Sequence, residues 1–96
     1  MQIYSNLITP AEIEQILKAN SGTINIKPSP MTVGKVVIET QLDSNGEKRS
    51  VYMTKANSPS LREYADAQFA INALKKMGNR SGLDCISVNV AVSCNS

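Results

Sequence analysis

Apolar and polar positions alternate with a period of two in four stretches of this chain and recur with a period near 3.6 in two others, which predicts strands and helices respectively. Residues 8–13 read Ile-Thr-Pro-Ala-Glu-Ile. They combine Thr9 as N-cap, Pro10 in the first turn, Glu12 closing a capping box and Ile8 with Ile13 as a hydrophobic staple. The helix that follows carries Ile13, Ile16 and Leu17 on one stripe, stops near Asn20 and takes Gly22 as a left-handed cap. Residues 23–27 alternate as a short strand ended by Pro28 and Pro30, and residues 28–34 form a loop.

Two β-rich runs, 35–42 and 47–55, flank Asp43-Ser44-Asn45-Gly46, and Asn-Gly is the preferred centre of a tight hairpin turn. A two-residue loop at Asn45-Gly46 sets Leu42 opposite Arg49, Gln41 opposite Ser50, Thr40 opposite Val51, Glu39 opposite Tyr52, Ile38 opposite Met53 and Val36 opposite Lys55. One face is then apolar (Val36, Ile38, Leu42, Val51, Met53) and the other wet. A second helix starts near 58–60, with Pro59 in its first turn or Ser60 and Glu63 as a capping box, and ends near Met77 with Gly78 as cap. Its stripe of Tyr64, Ala67, Ala70, Ile71, Leu74 and Met77 covers the apolar face. Residues 85–94 alternate as a long strand with Ile86, Val88, Val90 and Val92 in phase. The expected core includes Ile38, Val51, Met53, Ile71, Leu74, Val88 and Val90. The reading is therefore one small α+β domain over 1–96, of order α-β-β-β-α-β, with an antiparallel sheet and both helices packed on one face.

Composition narrows the chemistry. The chain has 96 residues, 42% hydrophobic and 19% charged, with no His and two Cys. The missing His removes the commonest general base and every His-ligated metal site, and two Cys cannot build a four-ligand zinc cage. No cofactor is implied, and no apolar run approaches the roughly 20 residues of a membrane span. Residues 1–8 lack the basic start, long apolar run and cleavage site of a secretory signal, so a cytoplasmic product is expected. Cys85 and Cys94, nine positions apart on one extended strand, stand about 30 Å from each other and on opposite faces, so they do not pair. The turn at 43–47 lacks the spacing of a calcium loop. Gly78-Asn79-Arg80-Ser81-Gly82 follows a helix, whereas a phosphate loop leads into one. Glu39 opposite Tyr52 is an acid and base pair only in outline, with no nucleophile beside it.

Charge carries more information. Residues 48–80 hold seven basic residues against two acids, whereas residues 1–47 hold three against five. Lys48, Arg49, Arg62, Lys75, Lys76 and Arg80 are the candidate contacts to an anionic partner. Phe69 falls away from the apolar stripe of the second helix and is the candidate aromatic anchor. Over about residues 9–77 the order α-β-β-β-α resembles that of a double-stranded-RNA-binding domain. That family opens its second helix with a Ser, a Lys pair and a further Lys aimed at phosphates. Here Ser60 is followed by Leu61, Arg62, Glu63, Tyr64 and Ala65, so the likeness is one of element order.

The expectation is a non-enzymatic binding module with no membrane association. It reads as a small inhibitor or adaptor, of the kind phages and mobile elements use against host machinery. It docks on a protein through Phe69 and the basic residues, with a nucleic-acid-binding domain using residues 48–80 as the alternative.

Overall fold

The computed structural model describes residues 7–19, 22–44, 46–84 and 86–90. In chain order the elements are β1 (Leu7–Ile8), α1 (Pro10–Ala19), β2 (Ile24–Pro28), β3 (Val36–Ser44), β4 (Glu47–Met53), α2 (Ala67–Arg80) and β5 (Asn89–Val90). The strands form one sheet ordered β1-β4-β3-β2-β5. This is the α+β architecture the pattern predicts, with one correction. The sheet is mixed, because β2, β3 and β4 are antiparallel whereas β1 on β4 and β5 on β2 are parallel. Parallel neighbours need a crossover, and the helices supply it. A two-residue strand such as β1 is also too short to show alternation.

The capping box forms as expected: Glu12 N–H donates to Thr9 Oγ1 and Thr9 N–H donates back to Glu12 Oε1, each at 3.2 Å. Ile8, Ile13 and Leu17 enter the core. Gly22 is not left-handed. Its bare Cα instead lets Ile16 approach, with Cγ2 standing 3.3 Å from where a Cβ would lie. The hairpin register runs from Glu39↔Tyr52 to Ser44↔Glu47, with Gly46 at φ +84°. It breaks down at the other end, where Val36 pairs with Tyr64 and not with Lys55.

That break explains why α2 does not begin near residue 58. After Met53 the chain turns away, and residues 61–64 return as a strap: Arg62 N–H donates to Met53 O at 3.0 Å, Val36 N–H to Tyr64 O at 2.9 Å and Tyr64 N–H to Val36 O at 2.8 Å. Residues engaged in such ladders cannot also wind into a helix. The Ser60–Glu63 capping box is absent because Glu63 accepts from Ser29 and Thr32. Asp66 caps α2 instead, accepting from Phe69 N–H at 3.2 Å. The helix continues past Gly78, which is buried within it, to Arg80, and Gly82 at φ +80° provides the left-handed turn. Of the strand expected over 85–94, only Asn89–Val90 pairs among the described residues. Residues 86–88 stay outside the ladder, with Ile86 packed against α2 at Gly78. Residues 85 and 91–96, and with them the reading of Cys85 and Cys94, lie outside the described residues.

The core lies between the sheet and the two helices: Ile24, Ile26, Val36, Ile38, Val51 and Met53 pack with Ile13, Leu17, Ala70, Leu74 and Met77. Ile71 and Val88 are only half-buried, and Val90, near the sheet edge, is 50% exposed. The wet-face reading needs a larger correction. Val36 to Thr40 are all buried, so the middle of β3 is closed on both faces. Glu39, expected in solvent, has a side chain 1% exposed and accepts from Asn25 Nδ2 at 2.7 Å and Lys27 Nζ at 3.0 Å. A buried carboxylate is tolerated when donors satisfy it in this way.

Two substitutions test this packing by thermal or denaturant unfolding. Leu74→Ala should cost about 2–5 kcal/mol through lost transfer energy and a cavity. Gly78→Ala, which in an open helix would gain up to about 1 kcal/mol, should destabilise, because its Cβ would lie 2.7 Å from Ile86 Cγ2.

Candidate functional site

Between the strap and α2 lies a shallow open groove of about 680 Å³. The strap supplies Arg62 and Glu63, and α2 supplies Phe69, Asn72, Lys75 and Lys76. Phe69, Asn72 and Lys76 fall on one helix face because residues three and four apart are neighbours there. Ala70, Leu74 and Met77 occupy the core side of the same helix, which leaves Phe69 58% exposed. Arg62 is held by its own neighbour, with the guanidinium carbon 4.6 Å from the centre of the Tyr64 ring. Such stacking fixes a cation in place without consuming its hydrogen-bond donors.

Four of the seven residues singled out from the sequence therefore meet at one place: Arg62, Phe69, Lys75 and Lys76. The other three do not join them. Lys48 and Arg49 sit beside the hairpin turn, opposite Asp43 and Leu42. Arg80 is paired with Glu14 at 2.9 Å, tying α2 to α1. The basic segment 48–80 is thus divided in space.

Glu63 is the one acid among the described residues lining the groove, and it is already occupied. Ser29 Oγ donates to one carboxylate oxygen, and Thr32 Oγ1 donates to the other at 3.0 Å. The hydrogen bond from Ser29 holds the Glu63 carboxyl below its ordinary range. Partial burial opposes that effect, while the Thr32 hydroxyl and the charges of Lys35 and Lys55 reinforce it. Glu14 is likewise lowered, first by its hydrogen bond from Arg80. The sequence pattern contains no sign of the Glu63 clamp, because Ser29 and Thr32 lie more than thirty residues away. It also passes over Met31 and Val33, both exposed on the loop before β3. The available signal was two apolar residues in a Pro- and Gly-bounded loop that no periodic element could bury.

Among the described residues the groove lining has no hydroxyl or thiol nucleophile on Ser, Thr or Cys, and no three His, Cys, Asp or Glu come together to hold a metal ion. No helix of the described residues is long and apolar enough to cross a membrane. Fold and site together define a small α+β domain with a cationic groove and an exposed aromatic. The chain matches no protein-family model, and no curated protein and no solved structure matches it.

Because the folded state lowers the carboxyl of Glu63, its contribution to stability is complete above the ordinary value of 4.5 and is lost as pH falls through the lowered one. Melting temperature should therefore decline below about pH 4.5, and Glu63→Gln should flatten that decline while lowering stability at pH 7.

Proposed function

We propose that this protein is a non-enzymatic binding module, an inhibitor or adaptor that docks on a macromolecular partner through the groove beside Phe69. The observation that carries this reading is the exposed Phe69 ring set among Arg62, Lys75 and Lys76. An exposed aromatic ringed by polar groups has the composition of an interface hot spot, since burying it on association gains apolar area while the surrounding cations orient the partner.

A protein partner fits this composition better than nucleic acid. Phosphate binding draws on many cations spread along a stripe, whereas here Arg80 is neutralised by Glu14 and Lys48 and Arg49 stand on the hairpin. An aromatic anchor also adds little to contacts with a phosphate backbone.

The test is a selection of random 16-residue displayed peptides on the full chain, alongside titration of a 20-base-pair DNA duplex. Recovered peptides should bind wild type, and Phe69→Ala should weaken them at least about fivefold with melting temperature nearly unchanged. Charge reversal of Lys75 and Lys76 should also weaken binding without unfolding the protein. Recovery of no peptide, or tight duplex binding that falls steeply with salt, would overturn the reading.

A further inference from the structure

The loop between β2 and β3 holds two apolar side chains in solvent: Met31 is 62% exposed and Val33 fully so. Its backbone is closely tied. Ser29 N–H donates to Lys35 O at 2.8 Å and Lys35 N–H to Thr32 O at 3.3 Å, closing the neck. Ser29 Oγ accepts from Met31 N–H at 3.0 Å and Thr32 N–H at 3.1 Å. Gly34, at φ +86°, turns the chain back toward β3. The two hydroxyls of this loop, Ser29 and Thr32, are those that grip Glu63, and Glu63 is itself part of the groove wall. The loop is therefore stapled to the groove through one side chain.

We infer that residues 29–35 form the second half of the docking surface, and that loop and groove together receive an acidic segment of a partner protein carrying bulky apolar side chains. This rests on the groove being a docking site, and it adds the loop and the chemistry of the partner. Charge complementarity selects the acid. Arg62, Lys75 and Lys76 line the groove, Lys35 and Lys55 lie close enough to act electrostatically on Glu63, and the two oxygens of Glu63 are already engaged by hydroxyls. Apolar complementarity selects a protein, because Met31, Val33 and Phe69 give three anchors that a phosphate backbone would leave unused. A loop already fixed in shape also loses little conformational freedom on binding, which favours affinity.

The experiment uses the full chain and a peptide recovered by the random-library selection, titrated by fluorescence anisotropy against wild type, Phe69→Ala, Ser29→Ala and the double variant Met31→Ser with Val33→Ser. The recovered sequences should be rich in Asp and Glu with at least two large apolar residues. The loop double variant should lose at least about fivefold in affinity, and Ser29→Ala, which removes one of the two clamp hydroxyls but no exposed anchor, should lose a smaller factor. Each variant should retain a cooperative melt, and amide NMR shifts on peptide addition should fall on both 31–34 and 69–76. If Phe69→Ala weakens binding while the loop double variant binds as wild type does, the loop inference is overturned and the groove reading stands. Peptides lacking acidic residues overturn the assigned partner chemistry. Binding that depends on the loop and not on Phe69 overturns both, as does binding of only the DNA duplex.

Discussion

A strand in the interior of a sheet needs hydrogen-bond partners along both edges, and β3 obtains them on one side from two separate pieces of chain. β4 serves the hairpin end and then departs after Met53. The N–H and C=O of buried Val36 would be left open there, and Tyr64 takes both. The position of that pair determines much of the surrounding surface. It lays residues 61–64 beside the sheet, seats Arg62 over the Tyr64 ring and brings Glu63 to the loop hydroxyls. It also delays α2 until Asp66 can cap it. The groove is the gap that remains between a strap tied to the sheet and a helix that starts late.

The same arrangement separates the residues that hold the fold from those free to recognise a partner. On α2 the core side carries Ala70, Leu74 and Met77, while Phe69, Lys75 and Lys76 line the groove. Arg80, at the end of the helix, is drawn into the fold by Glu14. Glu63 spans both categories, since its carboxylate secures the loop and its place in the groove wall joins that loop to the cations. Its two oxygens are held by hydroxyls, and among the described residues Arg62, Lys75 and Lys76 form no salt bridge.

The sequence made legible what depends on neighbours in the chain. Thr9, Pro10, Glu12 and Ile13 lie within one helical turn, and the Asn-Gly turn sets the register of adjacent strands, so both were readable from local chemistry. Phe69, Arg62, Lys75 and Lys76 were legible as surface residues because three of them share α2 and its 3.6-residue period places them off the core. What was not legible depends on distant partners. Ser60 and Glu63 satisfy the letter pattern of a capping box, but a carboxylate goes to the donors that are closest in space, and those are on Ser29 and Thr32. Residues 85–94 have the period of a strand, yet among the described residues only Asn89 and Val90 pair, with Asn25 and Ile26 of β2. Glu39 looked solvent-facing because alternation reports which side of a strand a residue takes and not how thickly that side is covered.

The Glu39 site has a consequence for how the chain finds its alignment. Asn25 lies directly across from Glu39 in the β2–β3 register, and Lys27 lies two positions along on the same face. Strand alternation has a period of two, so sliding β3 by one residue would carry the carboxylate through to the side where Ile24, Ile26 and Leu74 pack. There it would meet hydrocarbon and no donor, at a cost of several kcal/mol for a buried charge left without donors. Isoleucine and valine, by contrast, are nearly interchangeable across such a slip, and a β3 that reads Val36-Val37-Ile38 offers little apolar discrimination between neighbouring alignments. The ion pair thus acts as a proofreader for the sheet, penalising the near-correct pairings that hydrophobic collapse alone would accept.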